Sequence, residues 1–87
     1  MPKQPHKAEY ERLGRALRQL RHTAGLTQEQ AGEHVGARGQ FVSEAERGAR
    51  GLSWHRLMGL LDAYGATLYD LARAVEHPAP TSKRRAR

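Results

Sequence analysis

One short segment of this chain has several kinds of hydrogen-bonding group at the spacing that would place them on one face of a helix. The segment contributes an amide, a hydroxyl, a carboxylate and a guanidinium group, from Gln40, Ser43, Glu44 and Arg47. Steps of three and four residues align side chains on one helix face. Val42 and Ala45 fall on the opposite side and supply an apolar face. This mixture of donors and acceptors suits recognition of a polar surface.

The chain has no arrangement typical of catalysis or of metal binding. It contains no cysteine, which removes disulfides and thiolate metal ligands. Its five histidines are scattered without ligand-like spacing. The Gly-Ala-Arg-Gly sequences beginning at Gly36 and Gly48 are typical of turns and are not phosphate-binding loops. We therefore expect no enzyme, no metal site and no cofactor.

The positive charge is concentrated at the two ends of the chain. The net charge is +6, and the whole excess comes from Lys3, Lys7, Lys83, Arg84, Arg85 and Arg87. Between Ala8 and His77, nine arginines balance nine acidic residues. The net charge of the body is therefore no evidence for nucleic-acid binding. A basic tail usually aids solubility, and it can also add sequence-independent attraction to phosphates.

Length and hydropathy predict a single domain inside the cell. With 87 residues, the chain has room for one small domain, expected at 8–76 between a flexible arm at 1–7 and a basic disordered tail at 77–87. No apolar run approaches the roughly 20 residues of a membrane span. The polar start lacks the apolar stretch of a signal peptide. We expect a soluble, cytoplasmic protein without a membrane partner.

Apolar residues at helical spacing predict five helices separated by glycines. The expected helices are 8–24, 28–35, 39–47, 54–64 and one that begins at Thr67. Thr27 and Gln30 form a capping-box pattern at the second helix. Arg38 is a poor N-cap for the third. Trp54, Phe41 and Tyr64 are expected in the core.

The second and third helices have the features of a helix-turn-helix unit. Ala31 and Gly32 are small enough to let two helices cross closely. Gly36 permits the positive φ of a sharp turn between them. Residues 26 to 65 resemble, without a gap, the Cro/C1-type (XRE) helix-turn-helix family. The matching positions are Leu20-Arg21, Leu26-Thr27-Gln28, Gly36, Ser43, Glu46-Arg47-Gly48, Ser53, Leu57, Leu60 and Gly65.

The resemblance extends over roughly residues 13 to 75 and implies a compact, all-α, five-helix lambda-repressor-like domain. The helix at 39–47 would enter the major groove of double-stranded DNA. Base-reading residues would be Gln40, Ser43 and Glu44. Gln28, Arg38 and Arg47 would contact the DNA backbone or support the base-reading residues. Arg18 is a further candidate for contact with the DNA backbone. Arg21 and Glu46 correspond to a structural ion pair.

Some positions depart from the family pattern and affect base readout. Gly39 stands where the first reading side chain usually lies. Arg38 replaces a small polar cap, Gly51-Leu52 replaces Asn-Pro, and Ala45 is smaller than the usual residue. Glu44 can accept a hydrogen bond from cytosine, but phosphates repel a carboxylate unless cytosine or an arginine pairs with it.

Two functions remain open from the sequence. The first is a sequence-specific, repressor-like transcriptional regulator that binds as a homodimer through Leu68, Tyr69 and Val75. Two recognition helices on a symmetric site multiply specificity. The alternative is an antitoxin or an adaptor that reuses the fold to bind a protein partner. The near-neutral body, Glu44 and Gly39 favour this alternative.

Overall fold

The computed structural model describes residues 6–78, which form five α-helices with short connections. They are α1 (Lys7–Ala24), α2 (Gln28–His34), α3 (Gly39–Glu46), α4 (Trp54–Tyr64) and α5 (Leu68–Glu76). No strand occurs within 6–78, and the predicted all-α fold is confirmed. No helix in this range is long and apolar enough to cross a bilayer. Most of the predicted arm (1–5) and most of the predicted tail (79–87) lie outside the described residues.

The first helix begins one residue earlier than predicted, inside the expected arm. Lys7 is its first residue and reaches Glu11, one turn later, at 3.6 Å. Leu17 is 1% exposed, and Leu13 and Leu20 pack beside it against the core. The helix ends at Ala24, and the next residue, Gly25, has a φ of 76°, the left-handed conformation that commonly follows the end of a helix.

The helix-turn-helix unit consists of α2, the turn around Gly36, and α3. Thr27 and Gln30 form the predicted capping box at the start of α2. Gly36 has a φ of 68°, which an L-residue with a side chain rarely adopts. A Cβ on Gly32 would lie 2.6 Å from the carbonyl carbon of Arg38. The backbone before α3 therefore packs directly on α2, as the small residue at this position predicted.

The core lies between α1 and the later helices. The largest fully buried side chains are Leu17, Val42, Leu60 and Leu61. Tyr64 is 8% exposed and belongs to this core, as predicted, and Phe41 packs against it while partly buried. The prediction for Trp54 was wrong because it is 64% exposed. Trp54 is the first residue of α4.

Candidate nucleic-acid interface

The polar side of α3 is open to solvent, whereas its apolar side is buried. Val42 and Ala45 are 0% and 3% exposed. Gln40 is exposed, and Ser43 and Glu44 are partly exposed. The three side chains predicted to read bases therefore share one accessible surface, with the core directly behind it.

The Glu44 carboxylate has a partner on each oxygen. Its Oε2 accepts a hydrogen bond from Nε2 of Gln40 at 3.2 Å, one helical turn earlier. Its Oε1 accepts one from Nη1 of Arg50 at 3.2 Å. The arginine partner that a carboxylate on this surface requires is thus present. It comes from the connection between α3 and α4 and not from α3 itself.

Two arginines lie over the aromatic ring of Phe41. The guanidinium carbon of Arg50 is 4.9 Å from the ring centroid, and that of Arg56 is 5.0 Å from it. Nη1 of Arg56 also donates to the backbone carbonyl of Val35 at 3.0 Å. Cation–π contacts of this kind orient a guanidinium while leaving it charged. Neither Arg50 nor Arg56 was predicted from the sequence as a site residue, because both lie outside the helix-turn-helix unit.

Positive groups and helix starts surround the exposed surface of α3. One concavity of about 510 Å³ is lined by Gly36, Ala37, Arg38, Phe41, Arg50, Gly51, Ser53 and Arg56. A second of about 610 Å³ is lined by Thr27, Gln28, Glu29, Arg38, Gly39, Gln40 and Ser43. Arg38 lines both concavities and is exposed. Arg38 is the N-cap residue of α3, but its side chain makes no capping hydrogen bond there.

Arg21 and Glu46 form a bidentate contact between α1 and α3. Nε of Arg21 donates to Oε2 at 2.6 Å, and Nη2 donates to Oε1 at 3.0 Å. Arg21 also donates to the carbonyl of Leu26 at 2.9 Å. Both residues are buried. The hydrogen bonding of Arg21 to the Glu46 carboxylate raises the pKa of Arg21, against the opposing effect of burial.

Gln28 joins the same group of buried charges. Its Nε2 donates to Oε1 of Glu46 at 3.0 Å, and its side chain is partly buried. Nearby, burial raises the pKa of the Tyr64 phenol, and the Glu46 carboxylate adds to the rise. Gln28 therefore connects α2 to α3, and it also lines the second concavity together with Gln40 and Ser43.

The other predicted site residues are spread over the domain. Arg18 is exposed on α1, and Arg47 is exposed at the C-terminal end of α3. Of the predicted dimer residues, Leu68 is 44% and Tyr69 is 88% exposed. Val75 is only partly exposed and packs against the core. The structure thus places Leu68 and Tyr69, but not most of Val75, on the outer surface of α5.

Five helices, a glycine turn between α2 and α3, and a polar α3 surface define a helix-turn-helix domain. The chain belongs to the helix-turn-helix domain family, whose model matches residues 12–74. No curated protein matches its sequence.

Two solved structures are similar to this chain over most of its length. One is the restriction-modification controller protein C.AhdI from Aeromonas hydrophila. It is 31% identical, with a TM-score of 0.71, and the match covers 78% of this chain and 99% of C.AhdI. The other is the clp gene regulator ClgR from C. glutamicum. It is 29% identical, with a TM-score of 0.73, and the match covers 84% of this chain and 95% of ClgR. The predicted resemblance to Cro/C1-type helix-turn-helix proteins is confirmed.

Proposed function

We propose that this chain is a DNA-binding transcriptional regulator whose α3 enters the major groove. The observation that supports this most directly is the exposed polar side of α3, backed by Val42 and Ala45 in the interior. In helix-turn-helix proteins the second helix of the unit reads base edges and the first crosses the backbone. The family match and the two regulators of similar structure support the same function. Such a protein acts in the compartment that holds the DNA, which we propose is the cytoplasm.

We assign base reading to Gln40, Ser43 and Glu44. Gln40 can bond the edge of adenine, Ser43 can bond any base, and Glu44 can accept from the amino group of cytosine. Because α3 begins at Gly39, which has no side chain, Gln40 is the first residue of the helix able to reach a base. The readout then covers only a few base pairs per domain.

We assign contacts with the DNA backbone to Arg38, Arg47 and, on α1, Arg18. All three are exposed, and guanidinium groups suit phosphate oxygens. Gln28 has a different role in this proposal. Its amide nitrogen donates to Glu46, so it supports the position of α3.

We also propose that the protein binds a symmetric site as a homodimer. A two-fold dimer places two copies of α3 on half-sites one helical turn apart or a multiple of that distance. Leu68 and Tyr69 are large exposed side chains on α5 and are suited to such an interface. Val75 would contribute through its partly exposed surface.

In vitro selection of duplexes by the full-length protein at physiological salt tests this function. We expect a preferred sequence. The Gln40→Ala variant should lose preference at one base position. The Arg47→Ala variant should bind all sequences more weakly by about the same factor. It should also reduce the slope of log affinity against log salt concentration by roughly one. Absence of any preferred sequence would contradict the proposal.

A second candidate is an antitoxin or an adaptor that binds another protein. The exposed Trp54, 64% accessible and outside the α3 surface, favours it, because exposed aromatic residues are frequent anchors of protein interfaces. Recovery of a stoichiometric protein partner, together with DNA affinity no higher than the nonspecific level, would select this candidate. Trp54→Ala should then release the partner.

A further inference from the structure

The side chains of Gln40, Glu44 and Arg50 form one connected row across the exposed surface of α3. Gln40 donates to one Glu44 oxygen and Arg50 donates to the other, both at 3.2 Å. The row therefore joins two residues to which we assigned base reading with one residue from the α3–α4 connection. A change at Arg50 is expected to alter the position of both readers.

Arg50 is itself held in place from behind. Its guanidinium carbon lies 4.9 Å from the centroid of the Phe41 ring, and Phe41 packs against the core. The planar guanidinium can rest on the ring while its edge points toward the carboxylate. The position of Glu44 is thus linked to the core through Phe41 and Arg50.

The contact with Arg50 also reduces the electrostatic repulsion between Glu44 and DNA. A carboxylate brought against DNA approaches a dense line of phosphate charges, and leaving such a charge unpaired in an interface is costly. Arg50 neutralises Glu44 without occupying all of its acceptor sites, since each carboxylate oxygen has two lone pairs. Glu44 therefore remains able to accept a hydrogen bond from a cytosine amino group.

We infer that Arg50 determines base specificity by positioning and neutralising Glu44, and not by reading DNA itself. This inference rests on the function proposed above. It makes Arg50 a positioning residue for one base pair of each half-site. A cytosine on the strand facing Glu44 is the base that the paired carboxylate selects.

The pair is exposed enough for Arg50 to be changed without unfolding the domain. The side chains of Arg50 and Glu44 are 49% and 29% exposed, and ion pairs of this kind contribute little to stability. Arg50→Met keeps an unbranched stem of similar length against Phe41 and removes the guanidinium. Circular dichroism and thermal unfolding should match those of the unaltered protein, and Arg50→Gln provides a second variant for the same test.

The experiment compares Arg50→Met, Glu44→Gln and the double variant on the duplex selected by the unaltered full-length protein. Arg50→Met should bind about tenfold more weakly, because it leaves the carboxylate unpaired near phosphates. In the Glu44→Gln background the same change should cost less than about threefold, because no carboxylate is left to neutralise. Arg50→Met removes one positive charge in both backgrounds, so the effect of total charge is the same in the two comparisons.

A repeated selection measures specificity separately from affinity. Arg50→Met should relax preference at the same base position as Glu44→Gln, and Arg50→Lys should restore part of it by keeping the charge. Arg47→Ala is the matched control: it removes an exposed arginine next to α3 and should leave the base preferences unchanged.

Two results would overturn the inference in distinguishable ways. An equal loss of affinity on changing Arg50 with and without Glu44 would show that Arg50 contacts DNA directly, and it would leave the proposed function intact. Absence of sequence preference in the unaltered protein would remove the proposed function and this inference together.

Discussion

At the scale of single residues, Glu46 is the point where three helices are joined. It belongs to α3, accepts two hydrogen bonds from Arg21 of α1 and accepts one from Gln28 of α2. Its side chain is only 3% exposed. A charge removed from water in this way requires its partners. Glu46 therefore supports the exposed surface of α3 by holding this helix against α1 and α2.

Replacing Glu46 by glutamine should destabilise the domain by about 3 kcal/mol, because it leaves the buried Arg21 charge without its carboxylate. Urea unfolding followed by circular dichroism measures this free energy. Glu44→Gln is the matched control, since it alters a partly exposed pair and should change stability by less than about 0.5 kcal/mol. Equal effects of the two substitutions would contradict the structural role of Glu46.

At the scale of elements, the helix boundaries follow from local chemistry, and the sequence predicts them to within one or two residues. Thr27, Ser53 and Thr67 each accept a hydrogen bond from a backbone N–H three residues later. Such caps depend only on neighbours in the chain. Helical spacing alone placed Trp54 in the core, because spacing does not show which part of an apolar helix face is covered by other elements.

Contacts between distant segments could not be predicted in the same way. Arg50 approaches Phe41 and Glu44 only because the α3–α4 connection turns back over α3. The hydrogen bond from Gln28 to Glu46 spans 18 residues. These contacts depend on how helices pack and are not encoded in any spacing along the chain. The residues of the exposed α3 surface were predictable, but the connections between them were not.

The crossing of α2 with the start of α3 makes Gly32 a sensitive position. Gly32→Ala should destabilise the domain by about 2 kcal/mol or more, because the new methyl group would meet backbone atoms of Arg38 that cannot move freely. Gly59→Ala in α4 is the control, since there the methyl group would meet only the Val35 side chain. Gly59→Ala should change stability by less than about 1 kcal/mol, partly because alanine favours helix more than glycine does. Thermal unfolding of both variants checks this difference.

The capping box of α5 should make the stability of the domain depend on pH in the acidic range. Hydrogen bonds from the backbone and side chain of Thr67 lower the pKa of Asp70 below its ordinary value of 3.8. A lowered folded-state pKa means that the stabilisation is complete above 3.8 and is lost as the pH falls through the lower value.

The Asp70→Asn variant should therefore show a flatter dependence of the urea midpoint on pH below about 4, because asparagine keeps an acceptor but does not titrate. Asp62→Asn, at an exposed position of α4, is the control and should keep the acid dependence of the original protein. If both variants lost the same acid dependence, the capping box would not be its source.

At the scale of the whole molecule, a single copy of α3 is too short to define a site. The helix has eight residues, and the side chains to which we assign base reading would reach only a few base pairs. A dimer with two-fold symmetry doubles the number of bases read. The second copy then binds as an intramolecular event at high effective concentration. The affinity for a complete site should therefore depend on α5 as well as on α3.

Tyr69→Glu should convert a dimer into a monomer, because it introduces a carboxylate where we propose that the aromatic ring of Tyr69 packs against its symmetry mate. Sedimentation velocity at several protein concentrations measures the mass. The variant should bind a single half-site duplex as well as the original protein does, and it should bind the complete site about 100-fold more weakly. Trp54→Glu changes the other highly exposed aromatic residue, on α4, and should leave the dimer intact. If Trp54→Glu breaks the dimer while Tyr69→Glu does not, the interface lies on α4, and the two copies of α3 must be oriented through that helix.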